Sequence, residues 1–259
     1  DVERSRGLGD VYKRQGVEVA GRVLATGRGA SRFEVGDRVF GFINITGGYA
    51  GKAVARESSL ALLPRSLTAL QAGAVPATAL TAWQALTEHA GVQPGQKVLI
   101  HAAAGGVGSM AVQIAKYLGA EVIASASADN HAYLKGLGAD QVIDYRRQDF
   151  TQWRPAVDVV LDLVGEQTQA LSFALLKRHG VLVSPVSQPD ITLANDYGVT
   201  PVNFATRGDG GQLARIAELF DQGRLQVAVQ AFPLSDAPQA LEKSRGRHGH
   251  GRLVLDMAR

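Results

Sequence analysis

The sequence predicts an α/β protein built on a parallel, doubly wound sheet, with a smaller β-rich module ahead of it. Three observations carry this expectation. From residue 98 onward, short apolar runs alternate with segments of helical period, the pattern of strands joined by crossover helices. The run HAAAGGVG at 101–108 stands between the first such strand and the first such helix. Between residues 16 and 55, by contrast, valines recur at period two and glycine turns punctuate them.

In chain order, Val17, Val19 and Val23 read as a half-buried strand. The turn Val35-Gly36-Asp37-Arg38 leads into a strand over 39–42, and the turn Gly47-Gly48-Tyr49-Ala50 into another over 53–55. Short strands at this spacing suggest a partly closed barrel, which needs more strands than these to close. Ser66 or Thr68 can cap a first helix. A second covers 77–90, with Leu80, Trp83, Leu86 and Ala90 near helical spacing and Gly91 at its end. After a turn at Pro94-Gly95, the run Val98-Leu99-Ile100 fits a buried parallel strand. The helix over 109–118 places Ala111, Ile114, Ala115 and Leu118 on one face, and Gly119 stops it. Further strands are expected at 122–125, 142–143, 157–163 and 181–184, and further helices at 129–137 and 167–178.

Composition narrows the function classes. With 46% hydrophobic and 20% charged residues, the 259-residue chain is an ordinary globular one. A net charge of +3, without a dense Lys/Arg stripe among aromatics, argues against nucleic acid. The absence of cysteine removes disulfides, thiolate zinc sites, iron–sulfur clusters and a cysteine nucleophile. It also fits a reducing compartment, and a cytoplasmic location is expected. No run of about 18 apolar residues occurs, so no membrane span is expected. Residues 1–15 (DVERSRGLGDVYKRQ) have neither a structural period nor the features of a signal peptide. They read as a non-native or disordered leader, a flexible native tail being the alternative.

The glycine run carries the chemistry. Gly105 lets a backbone approach a pyrophosphate, Gly108 lets the helix pack close to the strand, and N–H groups at the helix start point at the phosphates. Ala103 occupies the usual first-glycine position, and Gly106-x-Gly108-x-x-Ala111 offers a second register. A purely structural tight turn is the alternative, which the strand–turn–helix–strand context disfavours. About 20 residues on, an NAD site places a carboxylate on the ribose 2′-hydroxyl. Here the stretch is Ser125-Ala126-Ser127, without an acid, and Asp129 and Asn130 come only later. Two hydroxyls and no repulsion favour a 2′-phosphate, hence NADPH. The other reading of these serines is helix capping, and no Arg or Lys is in register to decide.

The segments VEVAGRVLATG, FEVGDRVFGF, GGYA, LTAWQAL, KVLIHAAAGGVGSMAVQIAK, GADQVIDY, VDVVLDLVG and GRLVLDM, in this order, make the sequence similar to one family. It resembles the zinc-independent quinone oxidoreductase branch of the medium-chain dehydrogenase/reductases. The resemblance implies a Rossmann domain, residues 86–226, inserted in a partial GroES-like β-barrel domain, residues 16–85 and 227–259. It places Thr81 near the nicotinamide carboxamide, Ala104, Gly105, Gly106 and Val107 on the pyrophosphate, Tyr145 against the adenosine, and the backbone at Val164 and Gly165 beside the nicotinamide ribose. Packing roles are the other reading of Thr81 and Tyr145. It also implies a homodimer, through either the strand near 201–204 or the one near Val181. Family members begin roughly 50 to 65 residues earlier, by expected domain size. Their Asn and Tyr residues of the substrate pocket have no counterpart here, and Gly51 replaces an acid usual after GGYA. No catalytic side chain is therefore assigned.

No metal is expected: His248 and His250 stand among arginines and glycines without further ligands, and His101 reads as a strand-end packing residue. Without an obvious acid–base pair, the chemistry implied is hydride transfer from NADPH to a small-molecule quinone or α,β-unsaturated carbonyl. The alternative is a non-catalytic nucleotide-binding protein or an inactive fragment of such an enzyme.

Overall fold

The computed structural model describes residues 15–43, 47–148, 157–246 and 250–257. The expected leader falls outside them except for Gln15, and so does His248.

The first module is an antiparallel sheet in the order β1 (Glu18–Arg22), β2 (Arg38–Phe42), β3 (Leu60–Leu62). The strand expected at 53–55 does not form, and Val54 is 95% exposed. Burial decides the outcome rather than β propensity: Leu60 and Ala61 reach the core, and the 53–55 run has no partner strand. Helix α1 (Ala69–Ala72) starts at Thr68, whose hydroxyl accepts from Gln71 N–H while the Gln71 side chain accepts from Thr68 N–H. The single helix expected over 77–90 is α2 (Pro76–Trp83), continued by a wider turn at Gln84–His89.

Then comes the main sheet, β4 (Lys97–Ile100), β5 (Glu121–Ala126), β6 (Gln141–Asp144), β7 (Val157–Leu161), β8 (Leu176–Ser184) and β9 (Thr200–Asn203). All are parallel, in the order β6-β5-β4-β7-β8-β9. Between them lie α3 (Gly106–Tyr117), α4 (His131–Gly136), α5 (Glu166–Ser172) and α6 (Ile191–Tyr197). Helix α7 (Gly210–Asp221) follows, then β10 (Val229–Pro233), α8 (Ala237–Arg245) and β11 (Arg252–Asp256), with β10 and β11 paired in parallel. Side chains alternate across the sheet. Val98, Ile100, Val122 and Ala124 join the apolar layer of α2, α3 and α7, and Leu99, Ile123, Val160 and Leu182 join that of Phe173, Leu175 and Ala194. Strands buried on both faces explain the continuous apolar runs.

The helix expected over 167–178 stops at Ser172, and a tight turn at Phe173–Leu175 hands over to a β8 longer than the expected 181–184. Phe173, Leu175 and Leu176 are all buried, which one helix face cannot achieve for such close neighbours. A bulge then restores register: His179 has φ +65°, and the pairing with β7 shifts between Val157 and Val159. Because β8 is paired on both sides, the strand at Val181 is no edge; β9 is.

The first module grips the sheet through α7. A Cβ on Gly210 would lie 2.2 Å from the carbonyl oxygen of Leu60 in β3. Gly210→Ala is therefore expected to destabilise the fold by roughly 1–3 kcal/mol. Gly136→Ala, in α4 with open space around it, is expected to be neutral or stabilising by up to about 1 kcal/mol. Urea unfolding midpoints of the two variants check this contrast.

Candidate functional site

Strand order reverses between β4 and β7, the point beyond whose strand ends open α/β sheets form their ligand crevice. The turn leaving β4 fills its floor. His101 N–H donates to Leu161 O at the end of β7 (3.0 Å), and Ala103 N–H to Ser125 O in β5 (3.0 Å). Ala102 takes φ +48°, and Gly105 N–H closes the turn on Ala102 O at 3.0 Å. Helix α3 starts three residues earlier than expected, with Gly105 as its N-cap. Having no side chain, Gly105 cannot cap the helix, so the first-turn amides keep their free donors. A Cβ on Gly108 would fall 2.5 Å from Ala102 O and 2.6 Å from Ala103 Cα, so only glycine allows the helix this close. Ala104 is buried beneath the turn and Val107 is half-buried.

The remaining expected residues lie around the same strand ends. Ser125 is inside β5 with its side chain buried, whereas Ser127 is just past the strand end, half-buried, its hydroxyl accepting from Asn130 Nδ2 at 2.9 Å. Ala126 pairs with Asp144, so the exits of β5 and β6 run side by side and bring Tyr145 next to Ser127 along the sheet edge. Tyr145 is 46% exposed, with the Arg146 guanidinium 5.7 Å from its ring centre. Val164 and Gly165 follow β7; Val164 is exposed and Gly165 has φ +85°. Thr81 is buried on α2. Its hydroxyl donates to Ala77 O (2.7 Å), so Thr206 Oγ1, also 2.7 Å away, is the donor in that contact.

Several contributors to the site carry no local signal in the sequence. Arg252, from β11, lies over the turn: a Cβ on Gly106 would be 2.6 Å from Arg252 Cδ and 3.0 Å from Thr78 Cγ2. Arg252 pairs with Glu18, whose other carboxylate oxygen accepts from Ala77 N–H at 2.9 Å. Beside them is a cleft of roughly 180 Å³, lined by Tyr49, Gly105, Gly106, Ser244, Arg252 and Leu253 among others. Burial pushes the Tyr133 phenol up, against an opposing pull from Ser109 in the first turn of α3, whose hydroxyl donates to Gly106 O at 3.1 Å. His250 stacks on that phenol ring at 4.2 Å. Nothing in local spacing links residue 252 or 133 to residue 106. Among the described residues no group of three or more His, Cys, Asp or Glu could hold a metal, and no helix is long and apolar enough to cross a membrane.

This strand order, with a glycine turn opening a helix at the reversal, defines a Rossmann-like α/β protein. A family model described as zinc-binding dehydrogenase matches residues 137–255. Over 253 residues the chain is 40% identical to polyketide synthase GfsB of Streptomyces halstedii, covering 93% of this chain but only 4% of that far longer protein. It is 30% identical to the chloroplastic quinone-oxidoreductase QR1 of Triphysaria versicolor, covering 92% of this chain and 78% of that one. Among solved structures, the quinone oxidoreductase from Coxiella burnetii is similar, with TM-score 0.85 and 34% identity over 93% of this chain and 78% of that one. The Escherichia coli quinone oxidoreductase complexed with NADPH gives TM-score 0.86 and 28% identity over 98% and 84%. CurK enoyl reductase gives 0.84 and 28% over 94% and 80%. The chain belongs to the quinone oxidoreductase branch of the medium-chain dehydrogenase/reductase superfamily.

His101 is more than the packing residue expected. Its Nε2 lies 2.9 Å from Ser172 Oγ, whose own proton goes to Thr168 O (2.6 Å), so Nε2 carries the hydrogen. Burial lowers its pKa from 6.5 to about 4, against an opposing pull from the Asp162 charge. The unfolded chain takes up this proton between pH 6.5 and 4, and the native one does not. Stability from keeping His101 neutral is thus full above pH 6.5 and is lost as pH falls toward 4, up to about 3 kcal/mol in all. His101→Gln should lack that part of the slope. Unfolding free energies from pH 7 to 4.5 that fall in parallel for both proteins would contradict it.

Proposed function

We propose that this chain is an NADPH-dependent reductase acting on a quinone or an α,β-unsaturated carbonyl, without zinc. The observation that carries the reading is the uncapped N-terminus of α3 at the strand-order reversal, a ready site for the pyrophosphate. In this reading residues 86–226 form the dinucleotide-binding unit, and residues 16–85 with 227–259 the substrate unit. The amides over 104–107 hold the pyrophosphate. Tyr145 covers the adenosine, and Ser127, with no acid beside it on β5, accommodates the 2′-phosphate. The Val164–Gly165 backbone lies along the nicotinamide ribose. Thr81, whose proton is committed to Ala77 O, receives an N–H of the carboxamide. When bound, NADPH supplies the hydride. The chain contributes orientation and a dry wall, and the balancing proton comes from solvent. The donor set supports zinc-free chemistry, since the sequence has no cysteine. A homodimer joined along the open edge of β9 fits the same family.

The turn separates ligand binding from folding. Gly105 has an ordinary φ of −69°, and a Cβ there would meet only Ala102 O, at 3.3 Å. Gly105→Val should therefore stay folded by circular dichroism and lose NADPH binding, because its side chain enters the phosphate space. Full NADPH affinity in the folded variant would reduce the turn to a structural one.

The function itself is tested by NADPH oxidation with 1,4-benzoquinone and with a crotonyl thioester, in parallel with fluorescence titration of both reduced cofactors. Turnover of either acceptor with tighter NADPH than NADH binding is expected. Ser127→Asp should invert the cofactor preference by setting a carboxylate against the 2′-phosphate. Tight binding without turnover would leave a nucleotide-binding protein, and equal affinity for NADH would end the NADPH assignment.

A further inference from the structure

We infer that Asp162 is a positioning residue: its buried carboxylate fastens the loop leaving β7 to the loop leaving β8 and so shapes the wall on which the nicotinamide half of the cofactor rests. The inference rests on the dinucleotide reading above and goes further, to a side chain that touches no ligand.

Asp162 follows the last residue of β7 and is wholly buried. Its own N–H donates to Val183 O at 2.9 Å, tying it to β8. Oδ1 accepts from Val164 N–H (3.0 Å) and Gly165 N–H (2.9 Å), bending the β7 exit back over the carboxylate. Oδ2 accepts from Gln169 Nε2 (2.8 Å) on α5 and from Ser184 Oγ (3.0 Å) at the end of β8. Both of those donors reach onward to the second loop. Gln169 also donates to Ser187 Oγ (3.1 Å), and Ser184 Oγ accepts from Val186 N–H and Ser187 N–H (3.3 Å each). The loops then touch: a Cβ on Gly165 would lie 3.2 Å from Ser187 Oγ.

Four donors, all neutral, converge on one group. Only a carboxylate accepts at both oxygens; asparagine would turn an NH₂ toward Gln169 and Ser184. Burying a charge without a cation among these partners is an expensive way to gain stability, and an apolar side chain would avoid the cost. What the carboxylate provides is geometry. It fixes two strand exits, one of them at the strand-order reversal, where a displacement of about 1 Å can cost roughly 100-fold in rate.

The test compares NADPH with 2′,5′-ADP, a fragment that has the adenosine and its phosphates but no nicotinamide half. In Asp162→Asn, NADPH should bind roughly tenfold more weakly, while 2′,5′-ADP affinity stays at the wild-type value. Ser184→Ala, which removes one donor and the acceptor for two amides, should shift in the same selective direction by a smaller factor, and serves if the first variant does not fold. Equal losses for both ligands, or undiminished NADPH binding in a folded variant, would overturn the inference. A wild-type protein that binds neither ligand would instead sink the dinucleotide reading, and this one with it.

Discussion

Helix α3 and the turn leaving β4 meet at Gly108 with no side chain between them, and the placement of the helix depends on that contact. Any Cβ there would overlap the backbone of Ala102 and Ala103. Held this close, the helix brings the positive end of its dipole to the turn that leaves β4. The turn joining the two elements is bonded to β5 on one side and β7 on the other, so neither neighbour can slide without moving it. Sheet order, helix placement and the free amides are three aspects of one close approach.

Polar groups are sorted along the strands. At the crevice end lie buried ones, among them His101, Asp144, Asp162 and Ser184, each held by hydrogen bonds from named neighbours or to them. At the other end lie ion pairs open to water: Lys97 with Glu121 at 3.3 Å, and Lys177 with Asp158 at 2.7 Å. Such exposed pairs contribute about 0–1 kcal/mol each. A buried polar group that loses its partner costs more. The crevice end is accordingly the less forgiving of substitution, and its geometry the more sharply determined.

Much of this was legible in the sequence because it is local. Valine-rich runs, the glycine turn and the helix stops at Gly91 and Gly119 depend on neighbours a few residues away. Where structure and sequence pattern part, the cause is long-range. The run at 53–55 has strand composition but no partner, and 173–178 has helical composition but three side chains that the second core layer takes up. Asp162 stands in the VDVVLDLVG segment, and nothing in that segment signals that it gathers donors from residues 164, 165, 169 and 184. Thr206 beside Thr81 is 125 residues distant in sequence, and Arg252 beside Gly106 further still. Long-range contacts leave no period to read.

The Glu18–Arg252 pair joins residues 234 positions apart. During synthesis at about 5–20 residues per second, Glu18 therefore waits on the order of 10–50 s for its partner. By then the segments of β4 to β9, whose pairings all lie within the intervening stretch, have been synthesised. Every strand of the sheet thus exists in the nascent chain before the residue that closes the frame around it. Throughout that interval the Glu18 carboxylate lacks its cation, and the Ala77 N–H, 59 residues away, is the partner it can already have.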